Sequence, residues 1–463
     1  MSPPEFQLHI AIVGAGLGGL AAAISIAQSG HRVTILEQAP ELGEVGAGIQ
    51  IPPNSSRILK RLGILSKVEA LSVRPHEFVL RSYRDGKVLS TQPLLPYCEE
   101  RYGAPYLHIH RADYHRVLVN EARRLGVAIQ LNAKVTGIDF EKPEIKLADG
   151  STLAADLVIG ADGLKSVCRE QLLGKKDPPK LTGDLAYRVT IPASAMLQHP
   201  SLLPLIENPA VNFWLGPSSH CVGYLLKREG GEGIYNMVLA CPDNLPELVN
   251  TAKADLQEMR DFFSGWDENL RLLLGLVDDT SKWRLMNSEE LASWAHPSGK
   301  FVLLGDACHA TLPYLASGAA MAVEDGYLLG RLLSKIPRSA PPPAFLLPDI
   351  LTIYETVRKP RTTRVVKQSS HYQQIFHMHD GPLQRERDRQ LLRYQQEPYA
   401  GYPNKWRDPV FREWLWGYDA EQEVETAWAV YRSGRFPLTM GGRWESEREV
   451  VGSAVGSMIM SRL

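Results

Sequence analysis

Apolar and polar positions fall into two regimes along this chain. Apart from His9, Leu8–Val13 is apolar without a break, the pattern of a strand buried on both faces of a parallel sheet. Gly14, Gly16 and Gly19 follow. Leu20–Gln28 is then rich in Ala and Ile, which predicts a buried helix closed by Gly30. Val33–Leu36 is a second apolar run, and Glu37 ends it. The chain therefore opens with a complete βαβ unit.

Further on, Tyr114–Leu125 has helical periodicity, Gly126 stops it, and Val127–Leu131 reads as a strand. Strand signals over Glu144–Leu147 and Thr152–Ile159 are joined by Asp149-Gly150, a strong hairpin turn. From about 181 to 243 the pattern changes to short alternating strands: Ala186–Ile191, Val211–Leu215, Val222–Lys227 and Tyr235–Leu239. They predict a mainly antiparallel sheet in a second domain. An amphipathic helix over Leu256–Leu274 would cover it. Phe301–Leu304 returns to a buried strand of the parallel type, and an Ala-rich helix runs from Gly318 to Leu333. After a Pro341-Pro342-Pro343 linker, a long helix from Asp349 to His377 is expected to kink or break at Pro360. Residues 381–463 hold five of the nine Trp: Trp406, Trp414, Trp416, Trp428 and Trp444. A tail so rich in large apolar rings is expected to pack on the body.

Composition narrows this picture only slightly. The 463 residues are 44% hydrophobic and 22% charged, which excludes a disordered or fibrous chain and suits two or three interlocked domains. Lys+Arg is 51 against 52 Asp+Glu, so no global field attracts nucleic acid or an anionic membrane. No apolar run reaches the roughly 20 residues that span a bilayer. Cys98, Cys168, Cys221, Cys241 and Cys308 are odd in number and scattered, neither a disulfide framework nor a zinc site. A cytoplasmic location is expected, or a peroxisomal one if the terminal Ser461-Arg462-Leu463 is read as an address.

Chemistry enters with the glycines. Gly14-x-Gly16-x-x-Gly19 stands between a strand and a helix, as dinucleotide binding requires: a tight turn, a close backbone approach for pyrophosphate, and close helix–strand packing. The helix N-terminus would receive the pyrophosphate. Glu37, 18 residues past Gly19, would accept hydrogen bonds from a ribose and repel a 2′-phosphate. This pattern alone does not separate NAD from FAD. Two later segments bear on that: Asp156-Leu-Val-Ile-Gly-Ala-Asp162-Gly163 with Ser166 and Arg169, and Leu304-Gly305-Asp306-Ala307 with Pro313, Gly318, Ala319 and Glu324-Asp325.

With these three motifs in this order, the sequence from about Ile10 to Arg364 resembles the class A flavin monooxygenases of the aromatic-hydroxylase and salicylate-hydroxylase-like type. The resemblance implies an α/β fold: a Rossmann-like FAD-binding domain of glutathione-reductase type, an inserted antiparallel substrate domain and a helical C-terminal region. The FAD-binding pieces would be 1–75, 104–180 and 296–380, the substrate domain 76–103 and 181–295, and the tail 381–463. Asp162 belongs to the second motif, and Asp306 would bind the ribityl chain. Gly318 and Ala319 would face the flavin pyrimidine, where a helix N-terminus stabilises negative charge. Ala47 and Gly48 resemble a small-residue loop beside the flavin, and Arg111 an Arg that closes over it. Arg188, in Ala186-Tyr187-Arg188, and Tyr224, in His220-Cys-Val-Gly-Tyr224, resemble a catalytic pair. The bland alternatives are a surface Arg188 paired with Asp184 and a Tyr224 satisfied in the core. Phe213 and Trp214 would line an aromatic pocket or fill the sheet core.

No second GxGxxG unit is present for a separate nicotinamide domain. The resemblance implies tightly bound FAD reduced by transient NADPH or NADH, O2 addition at flavin C4a, and transfer of one oxygen atom from the hydroperoxide to an electron-rich aromatic substrate. Phenol hydroxylation and indole 2,3-epoxidation in secondary metabolism both stay open, with a flavin dehydrogenase or reductase of the same fold as the alternative. No metal site is expected: Cys308-His309 is read as loop, and His377, His379 and Asp380 as an exposed helix end.

Overall fold

The computed structural model describes residues 6–43, 48–227 and 230–437. Trp444 and the terminal Ser-Arg-Leu lie outside them. The first apolar run forms the centre of a five-stranded parallel sheet. Its spatial order is Phe301–Leu303, Leu157–Gly160, His9–Val13, Arg32–Leu36 and Ala128–Gln130. Ile10, Ala11 and Ile12 are wholly buried there, as expected of a strand covered on both faces. Helix Leu17–Gln28 lies on this sheet and packs against helix Gly318–Leu333. The approach is so close that a Cβ at Gly326 would come within 2.5 Å of the Ala22 nitrogen.

Asp149-Gly150 does turn a hairpin, but the expected second strand divides. Thr152–Ala154 pairs with Glu144–Leu147, whereas Leu157–Gly160 joins the parallel sheet. The second regime forms an eight-stranded sheet. Its order is Thr251–Lys253, Ser281–Asn287, Lys180–Pro192, Gly233–Pro242, Ser219–Lys227, Val211–Gly216, Glu77–Ser82 and Val88–Pro93. Every pair is antiparallel except Val211–Gly216 with Glu77–Ser82.

Alternation gives this sheet two apolar faces. Trp214 faces one core with Leu185, Tyr187, Met259 and Leu270. Phe213 faces the other, where the C-terminal region supplies Trp406 and Trp416. Trp406 stacks on Phe78 with ring centroids 4.4 Å apart.

Two helices differ from expectation. The one expected over Leu256–Leu274 is two, Leu256–Phe262 and Glu268–Gly275. The cause is Asp267, whose carboxylate accepts a hydrogen bond from the Leu270 N–H and starts a new helix. The long helix, Leu346–Phe376, runs through Pro360 unbroken. Arg358 and Arg361, either side of that proline, are clamped by Glu324 and Asp325 in the core. Those contacts hold the helix where one lost N–H would weaken it. Among the described residues, no helix is long and apolar enough to cross a membrane.

Candidate active site

Two cavities mark the seams of this architecture. The first, about 240 Å³, lies beyond the carboxyl ends of the central strands and is lined by Gly14, Gly16, Glu37 and Asp162, the usual place for ligands of a parallel sheet. Gly14 has φ of +107°, and a Cβ there would meet the Ala161 carbonyl oxygen at 2.4 Å. Gly19 stands behind the lining: a Cβ on it would meet the Gly14 oxygen at 2.2 Å, so it sets how closely helix and strand approach. At Gly16 a Cβ would meet no atom within 4 Å. Gly16 is also the N-cap of helix Leu17–Gln28, and no side chain caps it. The first-turn N–H groups thus face open space suited to an anion. Glu37 accepts hydrogen bonds from the Ala15 and Ala39 N–H groups, each at 2.9 Å, which fixes its carboxylate at the wall. Asp162 is committed to the wall itself. It accepts hydrogen bonds from the Ser166 hydroxyl and the Cys168 N–H and so anchors helix Val167–Leu173.

The second cavity, also about 240 Å³, lies between the two halves of the molecule. Gly48, Arg111, Arg188, Tyr224, Asp306, Gly318 and Ala319 all line it. Ala47 falls outside the described residues. Gly318 begins helix Gly318–Leu333, again with no side-chain cap. Asp306 remains exposed at the start of a helical turn, Asp306–His309. A buried cluster holds this turn from behind. Asp325 accepts hydrogen bonds from the Gly305 N–H at 3.1 Å, His309 at 2.6 Å and Arg358 at 2.6 Å. Burial alone would raise the Asp325 pKa; His309 and Arg358 outweigh it and hold it at about 2. His309, expected in a loop, is thus a buried partner of Asp325.

Arg188 sits on strand Lys180–Pro192 with its guanidinium 4.5 Å from the Trp283 ring centroid, in cation–π range. Its side chain faces the open cavity, yet surrounding protein desolvates it, and Arg111 repels it; both lower its pKa. The pairing with Asp184 does not form: Asp184 accepts hydrogen bonds from Tyr314 and Gln373. Tyr224 is buried against Gly48, where a Cβ would meet its hydroxyl at 2.7 Å, and against His108, with ring centroids 4.5 Å apart. Burial pushes the Tyr224 hydroxyl pKa up, opposed by Arg188 and Gln50. Phe213 lines the cavity. Trp214 points to the other face, its indole N–H donating to Asp267 at 3.0 Å.

The profile of the family described as FAD binding domain matches residues 7–369. The FAD-dependent monooxygenase OpS4 of Beauveria bassiana is 42% identical over 425 residues, covering 91% of this chain and 97% of that protein. The chain belongs to the class A flavin monooxygenases. To the 3-amino-4-hydroxybenzoate 2-monooxygenase PtnB3 of Streptomyces platensis this monooxygenase is 36% identical, covering 89% of this chain and 96% of that one. A salicylate hydroxylase substrate complex superposes on it with a TM-score of 0.72 at 25% identity, covering 91% and 98% of the two chains.

The site of this monooxygenase fits FAD. Its two uncapped helix N-termini, one at each cavity, match the two places where the cofactor carries or develops negative charge.

Sequence reasoning missed one part of the site. His220 lines the second cavity, and its Nδ1 lies 2.8 Å from His377 Nε2. His377, expected at an exposed helix end, caps helix Leu346–Phe376 and is mostly buried. The available signal was the four-residue spacing of His220 and Tyr224. On one strand it puts both side chains on the same face.

Proposed function

We propose that this monooxygenase uses NAD(P)H and O2 to hydroxylate a small aromatic acid that carries a ring hydroxyl. The observation that carries the reading is the second cavity, where Asp306 and Gly318 from the cofactor half meet Arg188, His220 and Tyr224 from the eight-stranded sheet. Bound FAD supplies the redox chemistry, taking electrons from the nicotinamide and activating O2. The chain's own residues supply the rest. Phe213, Val222, Val238 and Leu285 give the cavity apolar walls for an aromatic ring. The Arg188 guanidinium suits an anionic oxygen, whether carboxylate or phenolate, and the Tyr224 hydroxyl can orient a second one. His220, whose pKa burial and nearby His377 hold well below the usual value, presents a neutral imidazole that can hydrogen-bond the substrate's hydroxyl.

The likeness to a 3-amino-4-hydroxybenzoate 2-monooxygenase and to a salicylate hydroxylase supports the phenol reading over indole epoxidation. The test is turnover of a panel of hydroxybenzoates and prenylated indoles under ¹⁸O2 with NADH or NADPH. A hydroxybenzoate that gains one labelled oxygen supports the proposal. Label appearing only in indole products would replace it with epoxidation. Unlabelled product formed without oxygen would point to dehydrogenation.

A further inference from the structure

Beside the Asp306–His309 turn lies a smaller cavity of about 150 Å³ that shares no lining residue with the other two. Asp306 faces the second cavity, whereas Cys308, His309 and Ala310 line the smaller one. The rest of its wall comes from the segment 288–294 and from the long helix Leu346–Phe376. That segment is held in place at both ends. Glu355 accepts hydrogen bonds from the Trp294 N–H at 2.9 Å and the Ser293 hydroxyl at 2.8 Å, and Arg169 donates to the Glu289 carbonyl at 2.8 Å.

Much of the lining is apolar. Trp294, Ala310 and Val366 supply it, and the Trp294 ring centroid stands 5.3 Å from that of His309. Two polar groups interrupt this surface. His309 is only 5% exposed and commits its Nε2 to Asp325 at 2.6 Å, which leaves Nδ1. The Ser288 hydroxyl is the other. Both atoms are buried, and neither has a hydrogen-bond partner among the described residues. Such atoms destabilise a fold until something bonds them. At the exposed end stand Glu289, Glu290 and Lys367. Two carboxylates against one ammonium disfavour an anion there, and the apolar interior disfavours any full charge.

We propose that this cavity is a second small-molecule site, which takes a neutral single-ring phenol. A dry apolar cavity of roughly 150 Å³ admits benzene, so one ring fits. A phenol hydroxyl both donates and accepts, so it suits the imidazole nitrogen and the serine hydroxyl alike. Trp294 offers the ring an aromatic wall. An occupant bonded to His309 touches the same imidazole through which Asp325 holds the Asp306 turn. The site lies apart from the reaction and stands whether or not the second cavity hydroxylates phenols.

The test uses FAD-loaded, full-length protein and 4-fluorophenol, read by ¹⁹F NMR. The wild type should show a bound resonance. Val366→Trp fills the cavity from the long helix and should abolish that resonance, with flavin content unchanged. Val238→Phe narrows the second cavity instead and should leave it in place. Ser288→Ala is the milder variant should Val366→Trp not fold, and it should weaken binding roughly three- to tenfold, the scale of one lost hydrogen bond. Fluorobenzene, which lacks the hydroxyl, should bind about tenfold more weakly for the same reason. Absence of a bound resonance in the wild type overturns the site and leaves the cavity to water. So does a resonance that Val238→Phe removes and Val366→Trp keeps, which places the phenol in the second cavity alone. Fluorobenzene bound as tightly as 4-fluorophenol overturns the recognition of a hydroxyl.

Discussion

The two cavities have the same volume, about 240 Å³ each, and are built by opposite means. The nucleotide end is made of backbone. Glycines, an uncapped helix N-terminus and one strand-end carboxylate mark it, and the Glu37 and Asp162 carboxylates at its wall are bonded to the wall itself. The ring end also has Gly48, Gly318 and an uncapped helix N-terminus, but most of its lining is side chains gathered from residues 49 to 319, with His377 behind His220. A backbone site suits a group that every FAD-binding member of a fold shares, such as a pyrophosphate. A side-chain site can change its substrate without disturbing the fold. The contrast predicts that damage at the nucleotide end is a matter of shape and damage at the ring end one of chemistry, with the buried cluster between them costing both.

That cluster should give the largest effect. Asp325→Ala leaves Arg358 and His309 facing a missing partner in a wholly buried site. It should cost about 3–5 kcal/mol of stability, read by denaturant unfolding, and should also loosen FAD by freeing the Gly305-Asp306 turn. The pH dependence has a definite sign. Since the Asp325 pKa is lowered from 3.8 to about 2, its contribution is complete above 3.8 and is lost as pH falls through about 2. The variant should lack that part of the acid transition. A variant as stable as the wild type would mean that the cluster does not brace the Asp306 turn.

Much of the nucleotide end is legible in the sequence because its determinants are local. Gly14, Gly16, Gly19 and Glu37 fall within one βαβ unit, and only the Ala161 carbonyl that crowds Gly14 comes from elsewhere, just past the strand Leu157–Gly160. The ring end is legible only where a strand pattern carries it. Arg188 and Tyr224 could be named, but the His220–His377 contact spans 157 positions, and no spacing rule reaches that far. The same limit explains the two misread helices. Asp267 as a cap is visible only once Trp214 and Leu270 are seen around it. Pro360 reads as a break until Arg358 and Arg361 find their carboxylates on another helix.

At the ring end, Arg188→Ala should separate chemistry from cofactor binding. The side chain stacks on Trp283 and faces the cavity. Flavin content should be unchanged, and product formation should fall roughly a hundredfold, the usual cost of removing one electrostatic donor from a reacting centre. Flavin absorbance and product yield per NAD(P)H consumed are the two measurements. Full coupled activity would remove Arg188 from the chemistry and leave Tyr224 and His220 as the groups to test next.

The mildest change isolates the backbone site most cleanly. Gly16 has φ of −71° and ψ of 177°, extended geometry that alanine adopts without strain. A Cβ there touches no protein atom within 4 Å. Gly16→Ala should therefore melt as the wild type does in the absence of FAD, within about 0.5 kcal/mol. Its methyl instead occupies space in the cavity, so FAD affinity should fall roughly tenfold, the scale of about 1–3 kcal/mol for overfilling a packed contact. Gly19→Ala is the contrast, since its Cβ would sit 2.2 Å from the Gly14 oxygen and must displace helix from strand even with no cofactor present. If Gly16→Ala binds FAD as tightly as the wild type, the pyrophosphate does not pass over Gly16. The open space beside it would then be a feature of the turn and not of the cofactor.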